Sequence, residues 1–214
     1  MTSAAKAAIT TKAPKRAPRK RPLVTVDEAD RNRRADLLRV SAKLFREKGF
    51  DGTTIRDIAD AVGMRSGSPF YHFKSKQEIL MAVMEEGLVA GLAATEKIMA
   101  SDLPPREKFR ALVHSQLETV LAEGHDFIPV MLYDWRALSP DLQAQIIELK
   151  DRYDPLWQQM LSELKAAKLI RSDSKVTRLL LLGAINYTAQ WYRPGKGLSI
   201  DQLADQTVEF FLGD

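Results

Sequence analysis

The chain has 214 residues, 45% hydrophobic and 28% charged, which is enough apolar material for a sizeable buried core and argues against disorder throughout. It has no cysteine, which excludes disulfide staples, thiolate zinc sites and a cysteine nucleophile and suits a reducing, cytoplasmic setting. The formal charge of +4 is uneven: seven of the 32 basic residues, and no acid, fall in residues 1–22, leaving 25 basic against 28 acidic residues elsewhere. Nucleic-acid affinity must therefore come from local patches or from the tail.

In chain order, residues 1–28 come first, rich in Ala, Lys and Pro with no apolar core segment. They are expected to be disordered, either as a basic arm along a nucleic-acid backbone or as a solubilising tail. They lack the continuous apolar stretch of a secretory signal. From there on nearly every segment has helical periodicity and none alternates convincingly with period two, so the expected fold class is all-α. A first helix is predicted from about Ala29 to Lys48, closed by Gly49. Thr54, with Asp57 three residues on, resembles a capping box at the start of a short second helix that carries Ile55, Ile58, Ala59 and Val62. A third helix is predicted near Ser66 to Phe73, and Lys74-Ser75-Lys76 opens a long fourth one. Leu103-Pro104-Pro105 breaks the chain before a helix running to about Glu123, and a short helix follows near Ile128 to Leu138. Ser139-Pro140 begins a long amphipathic helix in which Pro155 is expected to cause a bend. Two final helices, about Ser174–Tyr192 and Ser199–Leu212, are separated by Arg193-Pro194-Gly195-Lys196-Gly197. The longest apolar run, around Leu179 to Ile185, is far below the roughly 18 residues of a membrane helix, so no membrane partner is expected.

The informative stretch is Thr54 to Phe73. Two short helices with a glycine between them, packed by a helix on either side, make a helix-turn-helix. Ala59 is small where the helices must cross, Gly63 can take the left-handed turn conformation, and Ile58, Val62 and Phe73 supply an apolar wedge. Such a unit offers its second helix to the DNA major groove while the first braces on the backbone.

Residues Arg34 to Leu80 resemble the DNA-binding domain of the TetR family. Leu44-Phe45, Gly49-Phe50, Thr53-Thr54, Ile58-Ala59, Gly63, Tyr71-His72-Phe73 and Lys76 stand in that family's places. The resemblance implies an N-terminal three-helix helix-turn-helix domain (29–75) and a larger C-terminal helical domain (76–214) for effector binding and dimerisation. It implies a DNA-binding set of Thr54, Arg65, Ser66, Ser68, Tyr71, His72 and Lys76. Arg65 is suited to reading guanine, while the serines discriminate weakly. Thr54 is either a phosphate contact or a plain N-cap, Lys76 a phosphate contact or a solvated lysine, and His72 a base reader or a packed strut. Two positions depart from the family pattern: Phe70 stands where tyrosine is common, and Pro69 where leucine or isoleucine is frequent.

The C-terminal part has consecutive leucines at Leu179 to Leu182, then Gly183 and Ala184, which permit close helix approach. The last helix carries Ile200, Leu203, Ala204, Thr207, Val208 and Phe211 on one stripe. By resemblance these two helices pair with those of a second subunit into a four-helix bundle. The expected homodimer interface is Leu179, Leu182, Gly183, Leu203, Val208 and Phe211; the alternative is burial within one subunit. A small-molecule effector is expected between the middle helices. Its candidate contacts are Phe109, His114, Phe127, Met131, Trp135, Trp157, Asn186 and Gln190, with Leu112, Leu117, Met160 and Trp191 also considered, against plain core packing. Leu181 to Tyr187 and Gln190 to Gly195 are similar to a subgroup that includes repressors of lipid and sterol breakdown responding to acyl-CoA. That implies a repressor of a palindromic operator released by a small hydrophobic or acyl-CoA-type effector, without a cofactor. Two other readings stay open. Catalysis would have to use His72, His114 or His125, with no phosphate-cradling loop and no metal-ligand spacing. An architectural DNA-binding protein would rely on the basic arm alone.

Overall fold

The computed structural model describes residues 26–63, 72–122, 124 and 126–213, with only the backbone described for 26–30. Among them there are eight α-helices and no strand, and the all-α expectation is borne out. The N-terminal helix α1 (Val26–Lys48) buries Leu37, Leu38, Ala42 and Phe45 on one side. Thr54 starts α2 (Ile55–Ala61), whose buried residues are Ile58 and Ala59. The turn that follows contains Gly63 at φ +69°, a conformation that only glycine adopts without strain. The expected helix at 66–73 lies mostly outside the described residues.

Ser75 caps the long α3 (Lys76–Met99), its hydroxyl accepting from the Glu78 N–H at 3.1 Å. This helix connects the two parts of the molecule: its first turns pack on α1, and the remainder on α4 (Pro105–Leu121), α5 (Phe127–Asp134) and α6 (Pro140–Ala166). The C-terminal core is centred on α4, where Phe109, Leu112, Val113, Leu117 and Val120 are all fully buried, and α7 (Lys175–Trp191) and α8 (Ile200–Leu212) pack against it.

Two local expectations are refined. The segment predicted as one short helix ends α5 at Asp134 and finishes in a 3₁₀ turn, Trp135–Ala137, which tightens the chain before Ser139-Pro140. Helix α6 runs unbroken through Pro155, which is exposed, so the backbone carbonyl deprived of a donor one turn earlier faces the solvent side of the helix.

Candidate functional site

The helix-turn-helix frame is fixed by short-range polar bonds. Thr54 forms a capping box with Asp57: its N–H and hydroxyl donate to Asp57 Oδ2 at 2.8 and 2.7 Å, and its hydroxyl accepts from the Asp57 N–H at 3.1 Å. The Thr54 hydroxyl and backbone N–H hold the Asp57 carboxyl below its ordinary 3.8. Both Thr54 groups that could meet a phosphate are thus engaged in the cap. Next to it, the buried Thr53 hydroxyl is shared between the carbonyls of Gly49 (2.9 Å) and Leu44 (3.2 Å). Lys76 bonds back to the same turn, donating to the carbonyls of Phe50 (2.8 Å) and Thr53 (2.9 Å), with its ammonium 4.0 Å from the centre of the Phe50 ring. His72 is half-buried, and Phe73 is buried beneath the Arg34 guanidinium, 5.2 Å from the ring centre. Arg65, Ser66, Ser68 and Tyr71, together with Pro69 and Phe70, lie outside the described residues, as does the tail to residue 25.

This frame is attached to the larger part through α5 and its 3₁₀ extension. Arg46 pairs with Asp126 at 2.6 Å, the Phe50 N–H donates to Asp134 Oδ1 at 3.2 Å, and the Gln77 side chain donates to the Ala137 carbonyl at 3.0 Å. Burial pushes the Asp134 carboxyl above its ordinary 3.8, and the Phe50 N–H offsets this only in part. Sequence reasoning missed all three links. Their partners are 60 to 84 positions apart, and no local pattern signals them.

Helix α5 also closes a cavity of about 270 Å³ between α3, α4, α6 and α7. Its wall is apolar at Leu88, Ile128, Met131, Leu132, Leu179 and Leu182, and three glycines (Gly87, Gly91 and Gly183) leave room in it. A Cβ on Gly91 or Gly183 would meet nothing within 4 Å, whereas one on Gly87 would stand 2.6 Å from Phe127 Cβ. The polar part consists of Gln116, Thr119, Tyr153, Asn186, Lys150 and Asp154. Asp154 is compensated by the buried Arg178 at 3.0 Å, whereas Lys150 has no ion-pair partner among the described residues.

Of the eight expected effector contacts, Met131 and Asn186 line this cavity. Phe109 and Trp157 are fully buried in the core, as are Leu112, Leu117 and Met160. Phe127 backs onto Gly87 from α5, and Trp135 is half-buried in the 3₁₀ turn. His114 lies 3.3 Å from Asp201 and 3.7 Å from Glu118. Gln190 bonds the Tyr133 hydroxyl at the surface, and Trp191 is exposed. The reading missed Gln116, Tyr153, Lys150 and the α3 glycines. Gln116 had a signal: it is a polar residue within the apolar stripe of α4, between Val113 and Val120.

Helix α7 leaves a large apolar face uncovered. Val176, Leu179, Leu180, Tyr187 and Trp191 are 49–66% exposed, alongside exposed Gly183 and Ala184, and Phe210 on α8 is 82% exposed. Leu182 is half-buried at the cavity, and Phe211 is half-buried. Leu203 and Val208 are buried within their own subunit, where α8 packs on α4. The apolar stripe of α8 therefore has an intramolecular partner, and, Phe210 apart, the uncovered apolar surface is that of α7.

A capped short helix and its glycine turn, on the pattern that opens a helix-turn-helix, attached to a helical body that holds an amphipathic cavity, are the build of a DNA-binding regulator that answers to a small molecule. The chain belongs to the TetR family: residues 37–83 match "Bacterial regulatory proteins, tetR family" and residues 102–214 match "Tetracyclin repressor-like, C-terminal domain". It is similar to the HTH-type transcriptional repressor KstR2 of Rhodococcus jostii, with 32% identity over 185 residues that cover 84% of this chain and 89% of that one. Among solved structures, the ketosteroid transcriptional regulator KstR2 of Mycobacterium tuberculosis shares 27% identity at a TM-score of 0.72, over 85% of this chain and 96% of that one. The superantigen PfiT shares 41% identity at a TM-score of 0.70, over 84% of this chain and 96% of that one. The chain is thus a DNA-binding transcriptional repressor of a family whose members act as dimers with small-molecule effectors.

Proposed function

We propose that this repressor binds a palindromic operator as a homodimer and is released when a small hydrophobic or acyl-CoA-type effector occupies the α3–α7 cavity. The observation that carries the reading is α5. One short helix lines the cavity with Ile128, Met131 and Leu132, and its ends hold the DNA-binding half through Asp126 and Asp134. A ligand that displaces α5 changes the seat of Arg46 and Phe50, and with it the angle at which the recognition segment meets DNA. An apolar wall with the unpaired Lys150 suits a hydrophobic group joined to an anionic one. By linkage, an effector that weakens DNA binding binds less well to the DNA complex.

DNA contact is assigned to Arg65, Ser66, Ser68, Tyr71 and His72, with Thr54 and Lys76 bracing the frame. In the dimer, α7 meets α7 of the second copy, and the two recognition segments are spaced roughly 34 Å, one turn of DNA, apart. The test is selection of genomic fragments with the purified protein at fixed salt. The recovered fragments should share an imperfect inverted repeat and be released by an acyl-CoA mixture. Fragments with no common symmetric sequence would replace this reading with that of an architectural DNA-binding protein.

A further inference from the structure

Two faces of α7 meet at one residue. Leu179, Leu182, Gly183 and Asn186 line the cavity, at the three- and four-residue steps that keep side chains on one side of a helix. The exposed apolar face consists of Val176, Leu180, Tyr187 and Trp191, with Gly183 and Ala184 between them. Gly183 alone belongs to both sets. A Cβ there would meet nothing within 4 Å, so at that point α7 places no side chain between the cavity and the uncovered face. The opening of the cavity lies on the same side. Its wall is buried at Gly87, Leu88 and Gly91 of α3 and at Gln116 of α4, whereas its exposed members, Lys150, Leu179 and Gly183, are on α6 and α7.

The uncovered face is also its own complement. Leu180 precedes Gly183 by three positions as Tyr187 follows Ala184 by three, and Val176 precedes Gly183 by seven as Trp191 follows Ala184 by seven. Read in the reverse direction the pattern of positions is unchanged. A second α7 laid antiparallel across Gly183 and Ala184 therefore sets Leu180 against Tyr187 of the partner subunit, and Val176 against Trp191 of the partner subunit, on both sides of the axis. The small residues at the centre let the two helices come close, and the larger side chains fill the space where crossed helices diverge.

We infer that a second copy of this chain, its α7 antiparallel across Gly183 and Ala184, covers the opening beside Gly183, so that the ligand site is complete only in the dimer. This rests on the α7 dimer and on the cavity being the effector site. It adds where the two-fold axis passes and that both copies enclose the ligand. By linkage, a ligand that binds the dimer better than the single subunit tightens the dimer in turn. Release from DNA then comes through α5, with the dimer intact.

The chain has no cysteine, so an introduced thiol is the only one present. Ala184→Cys places two thiols beside the axis and should give a disulfide-linked dimer under mild oxidation, whereas Lys175→Cys, off the face, should not. Leu179→Cys sets a thiol at the opening. A maleimide should label it about tenfold more slowly in protein concentrated enough to be dimeric than in diluted protein or in a Leu180→Glu background, while Lys175→Cys labels equally in all three. Calorimetry should find octanoyl-CoA bound about tenfold more tightly by the disulfide-linked Ala184→Cys dimer than by Leu180→Glu, with folding checked by circular dichroism. A dimer in which Ala184→Cys does not cross-link would overturn the antiparallel seat. Equal labelling of Leu179→Cys in dimer and monomer, or equal octanoyl-CoA affinity of the two, would overturn the shared site; if Gly91→Val abolishes that affinity, the cavity reading still stands. Failure of octanoyl-CoA to bind either form, with Leu179→Cys protected in the dimer, would overturn the acyl-CoA reading and leave the covered opening in place. A wild type that is monomeric at every concentration would overturn the α7 dimer and this inference with it.

Discussion

Asp134 accepts from the Phe50 N–H where the two parts of the molecule meet, at a half-buried position beside Asp51 and Lys76. Burial raises its carboxyl above 3.8, the neighbouring Asp51 adds to the effect, and Phe50 and Lys76 oppose it incompletely. The folded protein therefore holds this proton more tightly than the unfolded chain does. The ionised carboxylate costs stability above the raised value, and that cost is relieved as the pH falls through it towards 3.8. Asparagine keeps the acceptor for Phe50 and removes the charge, so Asp134→Asn should melt higher than the wild type at pH 7. The difference should shrink as the pH approaches 4. Thermal melts at the two pH values check this, and a lower melting temperature at pH 7 would show that the charge contributes favourably. Residues such as Asp134 were not legible in the sequence, whereas Thr54 and Asp57 were. A capping box is a contact over three positions whose geometry follows from the helix itself. Lys76 falls between these cases: the sequence marked the position, but its partners are carbonyls 23 and 26 residues away.

Among the elements, the α3–α5 crossing is the tightest contact that bears on function. A Cβ on Gly87 would lie 2.6 Å from Phe127 Cβ and 3.2 Å from Ile128 Cδ1, so Gly87→Ala must push α5 outward. Overpacking of this kind costs about 1–3 kcal/mol, against roughly 1 kcal/mol gained from alanine's better helix propensity. The expected result is a lower midpoint in urea, together with weaker operator binding without effector, because α5 carries Asp126 and Asp134. Unchanged operator affinity in a destabilised variant would separate α5 from the control of DNA binding. The helices themselves could be read from the sequence, since Leu103-Pro104-Pro105, Ser139-Pro140 and Arg193 to Gly197 mark their ends and the apolar spacing marks their faces. What each face packs against could not be read. The Leu203-Ala204-Val208 stripe of α8 looks like an interface, but a stripe of period 3.6 is the same whether its partner is α4 of the same chain or a second copy.

At the scale of the whole molecule, α7 is left with its exposed apolar face. Leu180 is 66% exposed and Tyr187 65%, on a contiguous apolar face of the kind that marks an interaction surface. Ala184 and Gly183 beside them carry little or no side chain, which lets a second helix come close. In the proposed dimer a two-fold axis through this face would make the contact self-complementary and set the separation of the two recognition segments. In that arrangement Leu180→Glu would place a carboxylate beside its own copy across the axis, where the charges repel. The variant should sediment as a monomer. Its fold should be retained, because Leu180 takes no part in the core of its own subunit. Operator affinity should fall by roughly 2 kcal/mol or more, since each half-site then binds alone. Leu180→Gln, polar but neutral, should recover part of both dimer and affinity; if it does no better than Leu180→Glu, charge is not the cause. A Leu180→Glu protein that remains dimeric and keeps its grip on the full inverted repeat would place the two-fold elsewhere. The exposed Phe210 of α8 is then the next surface to probe, because it is 82% exposed in the single subunit and meets there the neighbouring Phe211 ring edge-on.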